Sequence, residues 1–286
     1  MTESVHYHDL AYLIRRHAVS YNYSATLFAR DKKGWGNHSV AFAPVYAGSS
    51  GLSGSTAALP PIPGALEEVK VMKRKLNTTL YAGEEATEGR FREVAGRFDI
   101  LHLAMHTLIN DSLPLFSRLA FAPGAGGSLE DDGWLNTADV YTLRLKARMA
   151  VLGACRSGGG MLRNGEGIIS LARGFFYAGC QSVLLSLWEV EDQAGATVMK
   201  EFYRNLKAGK SKDHALRNAK LKYLREATPV TAHPRFWMGY VLIGQTDPLF
   251  GGISLYLLGL MGLLLVLIAA DMVIKKPAGK NPAGDH

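Results

Sequence analysis

The sequence predicts an α/β protein with a mainly parallel sheet and helices on both faces. Three observations predict it. Short, largely apolar runs at 39–45, 99–105, 148–154 and 181–187 have the length and composition of buried parallel strands. Between them lie stretches with apolar residues at helix spacing, such as Leu66, Val69, Met72 and Leu76, or Ala194, Val198, Phe202 and Leu206. Strand-like and helix-like stretches alternate, which is the order that crossover connections produce.

Taken in order, Asp9 to Val19 mixes apolar and basic residues and suits a short helix or an amphipathic strand. Ser24 to Ala29 and Ser39 to Val45 read as strands around a turn at Asp31 to Asn37. Gly48 to Pro63, rich in Gly, Ser and Pro, reads as an exposed loop. Gly64 to Leu76 is a helix and Thr79 to Tyr81 a short strand. Thr87 can cap a helix that carries Phe91, Val94 and Phe98 on one face. Asp99 to Met105 is a buried strand ending at His106, and Arg118 to Ala122 another. Gly124 to Gly127 is a loop, and Asn136 or Thr137 opens a helix to Leu145. After the strand at Arg148 to Ala154 come Cys155, the glycines Gly158, Gly159 and Gly160, and an apolar helix from Glu166 to Ala178. Gln181 to Leu187 is a strand, Glu191 to Leu206 a helix, and Lys210 to Arg225 a very basic helix with a solvated face. Phe236 to Ile243 is the last strand.

With 286 residues and 48% hydrophobic content the chain can bury a core. The net charge of +7 allows an acidic partner or an anionic membrane surface, but the basic residues are dispersed along the chain. Neither a zinc-finger spacing nor an aromatic–basic RNA motif is present, so no nucleic-acid partner is expected. Two cysteines, Cys155 and Cys180, fit a reducing compartment better than a disulfide framework.

No secretory signal pattern opens the sequence. Leu249 to Ala270 carries no charge, and as a helix these 22 residues span about 33 Å, enough for a hydrocarbon core of about 30 Å. The sequence therefore divides into a main domain over 1–248, a transmembrane helix over 249–271 and a polar tail over 272–286. Lys275, Lys276 and Lys280 after the span argue for a cytoplasmic tail by the positive-inside rule. With nothing upstream to export the main domain, the expectation is a single-pass tail anchor with that domain in the cytoplasm.

Cys155 follows a buried strand and precedes a glycine-rich loop, where open α/β sheets bind ligands. The loop is not a P-loop, and no G-x-S-x-G serine elbow occurs. An arginine six residues after the thiol, as in Cys-based phosphatases, is missing, since that position is Met161. His102 and His106 lack a third ligand at metal spacing, so neither a metal nor a cofactor is expected. Cys155 and Cys180 are not a C-x-x-C pair, and Cys180 reads as a core residue. Cys155 and His106 remain, both at carboxyl ends of buried strands and 49 residues apart, close to the His-to-Cys spacing of caspase-type proteases. An imidazole beside a thiol makes the thiolate and then protonates a leaving amine. Backbone N–H groups at Thr107 and Cys155 would form the oxyanion hole. Trp188 and Asp192, just after the strand at 181–187, are candidates to wall a substrate pocket and to bind a basic substrate side chain.

The segments DILHLAMH, VLGACRSGGG, GEGIISLARGFFYAGCQSVLLSLWEVED, FYRNLKAGKSKDHALRNAKLKYL and HPRFWMGYVLIG, with LPPIPGALEEVK and YLIRRHAVSYNYSATL, resemble the CHAT-domain family of caspase-like peptidases over roughly positions 10 to 250. The resemblance implies a caspase-like three-layer α/β sandwich. It also implies cleavage of a protein or peptide substrate by His106 as base and acid and Cys155 as nucleophile, and an upstream TPR-type regulatory partner. Thr107 stands where the family often has glycine, and Arg156-Ser157 where it often has Glu-Thr or Asn-Thr. Thr107 keeps its backbone N–H but adds a side chain near the oxyanion position. It thereby also fits a second expectation, an inactive module serving as a scaffold at the membrane.

Overall fold

A strand needs apolar residues at every position only when both its faces are covered. The central runs have that composition, and both faces are covered. The computed structural model describes residues 6–24, 36–46, 56, 59–124, 131–153, 166–251, 259 and 262–268. In chain order its strands are β1 (Ser39–Ala43), β2 (Thr79–Ala82), β3 (Ile100–Leu103), β4 (Thr107–Leu108), β5 (Arg118–Ala120), β6 (Trp134–Asn136), β7 (Met149–Leu152), β8 (Ser182–Ser186) and β9 (Tyr240–Gly244). The helices are α1 (Pro63–Leu76), α2 (Glu88–Val94), α3 (Thr137–Val140), α4 (Glu166–Tyr177), α5 (Asp192–Lys207) and α6 (Lys212–Glu226).

The main sheet has the order β2-β1-β3-β7-β8-β9, parallel except for β9, which returns antiparallel to β8. Every residue of β1, β3, β7 and β8 is buried. Alternation divides their side chains between two apolar layers. Ala41, Ile100, Met149, Val151 and Leu184 pack with α1, α5 and α6. Phe42, Leu101, Leu103, Leu152 and Val183 pack with α2 and α4. The result is a three-layer α/β sandwich.

Several expectations change in detail. Asp9 to Val19 yields one 3-10 turn, Leu13–Arg15, and Tyr21 adds a parallel bridge to Ile243. Thr87 caps α2 as expected, accepting from the Arg90 N–H at 3.1 Å, but the helix ends at Val94 and Phe98 lies beyond it. Arg118 to Ala122 contributes β5 not to the main sheet but to a separate antiparallel one, β4-β5-β6, because the chain doubles back directly after β4. The helix expected to Leu145 is one turn, α3, closed by a capping box between Asn136 and Asp139. The last strand begins at Tyr240, since Pro234 first imposes a 3-10 turn. The strand at Ser24 to Ala29 beyond Ser24, most of the 31–37 turn and of the 48–63 loop, the 124–127 loop beyond Gly124, and the tail at 272–286 lie outside the described residues.

The very basic helix is not a solvated face throughout. Lys212 and Lys220 of α6 are only 1% and 7% exposed. The Lys212 ammonium donates to Gln245 O at 3.0 Å and Arg148 O at 3.2 Å, and Lys220 to Tyr240 O at 2.6 Å and Met238 O at 3.2 Å. Burial pulls Lys220 down from 10.5 to about 8. Between those values the unfolded chain holds the extra proton, so this residue makes stability rise with pH there, and below about pH 8 its desolvation cost is carried in full. Urea unfolding across that window should show the rise, and Lys220→Met should remove up to about 1.4 kcal/mol per pH unit of it. An unchanged slope in the variant would place the titration elsewhere.

The chain divides into two units, Met1–Phe250 and Gly251–His286. The transmembrane helix expected over 249–271 has no support among the described residues, where no helix is long and apolar enough to cross a membrane. Of that stretch 249–251, 259 and 262–268 are described; 262–268 are helical and apolar, with Leu265 64% exposed.

Candidate active site

His106 lies at the carboxyl rim, three residues past the end of β3 and directly before β4. It is 2% exposed and fastened at three points. Its carbonyl accepts from Ala120 N at 3.0 Å, and its N–H donates to the Tyr46 hydroxyl at 3.3 Å. Its ring Nε2 lies 2.7 Å from the Pro60 carbonyl. A carbonyl only accepts, so Nε2 carries the proton in the neutral ring and Nδ1 carries the lone pair. The Tyr46 hydroxyl donates onward to Ala120 O at 2.5 Å, its ring centroid is 4.8 Å from the imidazole, and burial pushes its phenol well above the ordinary value. A neutral phenol thus ties the His106 backbone to β5.

Thr107 is fully buried. Because Ala120 N bonds His106 O, Thr107 and Leu119 form a non-hydrogen-bonded pair. The Thr107 N–H therefore points away from β5. Its hydroxyl has no hydrogen-bond partner among the described residues.

Cys155, with Arg156-Ser157 and the three glycines, lies outside the described residues, but both flanks of its stretch are described. At one end Gly153 N donates to Leu103 O at 2.8 Å. At the other, Gly167 N donates to Asp111 Oδ1 at 3.1 Å. Both flanks need glycine. A Cβ on Gly153 would meet Leu103 O at 2.9 Å, and one on Gly167 would meet Ile109 Cγ2 at 2.5 Å. The stretch that carries the thiol is thus pinned at both ends beside the elements before and after His106.

The other expected contacts separate. Asp192 opens α5, accepts from Gly64 N at 3.3 Å, and lines a cavity of about 20 Å³ with Glu68, Ala104, Ser186 and Tyr240. Trp188 donates from Nε1 to Arg235 O at 2.9 Å and lines a different cavity of about 260 Å³, against α6 and β9. Cys180 is 4% exposed, its Sγ lies 3.1 Å from Ser182 O, and burial pushes its thiol up to about 11, so it is a core residue. His102 shares no ligand set with His106: its Nδ1 meets the Tyr203 hydroxyl and its Nε2 lies 3.3 Å from Glu68 Oε1, in the layer under α1 and α5.

The sequence profile of the CHAT domain matches residues 2–245. The chain belongs to the CHAT-domain family. Human Tetratricopeptide repeat protein 28 is 28% identical over 214 residues, 65% of this chain and 8% of the relative. The mouse protein of the same name is 25% identical over 219 residues, 65% of this chain and 9% of the relative. This CHAT domain therefore spans less than a tenth of those relatives. Its fold is similar to the Arg-specific cysteine proteinase gingipain R, with a TM-score of 0.48 and 10% identity over 76% of this chain and 48% of that one. It is also similar to the Saccharomyces cerevisiae separase–securin complex, with a TM-score of 0.42 and 14% identity over 73% of this chain and 12% of that one.

Within the CHAT domain, Pro60 and Tyr46 were not legible as site residues. Tyr46 follows a strand of five buried residues with nothing local to mark it. Pro60 had a signal: Pro61 holds it extended, and an extended carbonyl outside any ladder must find a donor elsewhere. The unpartnered Thr107 hydroxyl gives a direct test of the backbone role. Thr107→Val keeps the shape and the N–H and removes a buried polar group, so it should stabilise the domain by about 1 kcal/mol and leave any peptide cleavage intact. Chemical denaturation and a cleavage assay on the same variant check both parts.

Proposed function

We propose that this CHAT domain is a caspase-like cysteine endopeptidase. Cys155 gives its thiol proton to His106 Nδ1, and the thiolate attacks the scissile carbonyl carbon. The developing oxyanion takes hydrogen bonds from the N–H groups of Thr107 and Cys155. The imidazolium protonates the amine as the C–N bond breaks, and water then releases the acyl group from sulfur. The observation that carries this is the double pinning of the Cys155 stretch. Gly153 is bonded to β3, whose continuation is His106, and Cys155 is two residues further on, within about 7.6 Å of chain. The Pro60 carbonyl supports the role of His106 by fixing the tautomer that a base requires.

The substrate is a protein or peptide. Asp192 is the proposed partner of a basic substrate side chain, and the cavity of about 20 Å³ that it lines with Glu68 has to widen to admit one; Trp188 lines a separate cavity. The apolar stretch 249–271 anchors the protein to a membrane with the peptidase on the cytoplasmic side, and a TPR-type partner regulates it. A peptide probe bearing a thiol-reactive ketone tests the core of the proposal. It should label Cys155, and His106→Ala should suppress labelling while leaving the fold intact. Labelling unaffected by His106 would instead favour an inactive module used as a scaffold.

A further inference from the structure

The basic residues are scattered in sequence, but the topology collects them. In a parallel sheet with helical crossovers, each helix that directly follows a parallel strand runs back to the amino end of the strands. The last turn of α1 brings Lys73 and Arg74 there, the approach to β7 brings Arg144 and Lys146, and the end of α5 brings Lys207 and Lys210. All six are exposed, and none forms an ion pair among the described residues. Of the carboxylates at that end, Asp99 is buried beneath the His38 N–H, Asp247 lies in the field of Arg148 and Lys212, Asp213 is held by Ser211 and His214, and Glu93 is paired with Arg90 and Arg97. The candidate active site is at the opposite end of the strands.

The same end is where the chain leaves this unit. Lys212 N holds Thr246 O at 2.8 Å and its ammonium holds Gln245 O. The Arg148 guanidinium holds Pro248 O at 2.6 Å and Leu249 O at 2.9 Å. Two cations thus clamp residues 245–249, and the uncharged apolar stretch begins immediately after them.

We infer that the amino-end face of the sheet, carrying Lys73, Arg74, Arg144, Lys146, Lys207 and Lys210, is a docking surface for anionic lipid headgroups, which holds the candidate active site turned away from the bilayer. The inference rests on the proposed membrane anchoring. A bilayer fits better than a nucleic acid because the cations share one end of the sheet with the exit into apolar sequence, and a membrane meets both features at once. Cations near an anionic surface each strengthen binding about fivefold and are screened within a Debye length.

The test uses the full chain with vesicles of phosphatidylcholine alone or with about 30% phosphatidylserine. A dye is placed on Ala208→Cys, at the end of α5, in a Cys155→Ala background, and headgroup-level spin-labelled lipid is the quencher. Quenching should be at least threefold greater on the anionic vesicles. It should fall to the neutral level in about 0.5 M salt and in the variant Lys73→Gln/Lys146→Gln/Lys207→Gln/Lys210→Gln. The equally charged control Arg173→Gln/Lys200→Gln/Arg225→Gln/Arg235→Gln should keep it, and a dye on Ser112→Cys should stay unquenched. Equal quenching on both lipids, no response to the fourfold variant, or tighter binding to a DNA duplex than to the anionic vesicles overturns the inference. Flotation with phosphatidylcholine alone reports the anchor separately. Flotation without composition-dependent quenching keeps the anchor and removes the docking face. Flotation only with anionic vesicles, lost in the fourfold variant, keeps the face and removes the anchor.

Discussion

Cys155→Ala is expected to lower peptide cleavage by at least about a thousandfold, with no change in unfolding midpoint. The thiolate sulfur is the protein atom that bonds the substrate carbon in the proposed mechanism, and alanine leaves nothing to take its place. His106→Ala should cost a similar factor. Without the imidazole the thiol has no base to take its proton and the leaving amine loses its acid. The double variant should be no worse than either single one, because the two groups act as a unit and the residual rate comes from binding and the oxyanion donors. Turnover of a peptide pool followed by mass spectrometry gives all three rates. Multiplying losses in the double variant would show that the two residues act independently, and equal cleavage by the native and Cys155→Ala proteins would remove the peptidase proposal. Loss of the His106 backbone anchor is a separate matter: Tyr46→Phe removes one hydroxyl that joins His106 to β5, and its effect should appear in rate more than in stability.

Phe42→Ala should destabilise the domain by about 4 kcal/mol, which for a domain of this size lowers the midpoint by on the order of 10 °C. Phe42 is fully buried in β1 and is the hub of an aromatic cluster, with ring centroids 5.0 Å from Tyr81, 5.5 Å from Phe91 and 5.8 Å from Phe121. Alanine would leave a cavity walled by three rings that are themselves held by β2, α2 and the end of β5, so the site cannot collapse around it. The consequence reaches the candidate site. Phe42 O accepts from Ala104 N at 2.9 Å, two residues before His106. Thermal unfolding measures the loss, and a change under about 1 kcal/mol would mean that the layer beneath α2 repacks freely.

Much of the fold was legible because the signals are local. The period of apolar residues set α1, α4 and α5 almost to the residue, and continuous apolar runs marked β1, β3, β7 and β8. The misses have a common physical origin. The placement of β5 in a second sheet and the shortening of α3 depend on which strands find each other, and pairing is decided by long-range contacts that no local window contains. In the candidate site, His106 announced itself by residue type and by its place after a buried strand, whereas the groups that orient it, Tyr46 and the Pro60 carbonyl, come from 60 and 46 residues away.

Charge shows the same division. Composition determined a surplus of +7 and a chain rich enough in apolar residues to fold around a sheet. Residue order determined that a thiol and an imidazole each follow an apolar, strand-like run. Only the tertiary structure decided that Lys212 and Lys220 go inside while Lys73, Lys146 and Lys207 meet at one end. The reason is geometric: a helix that directly follows a parallel strand returns the chain to the amino ends of the strands, so residues far apart in sequence share a face that no local pattern encodes.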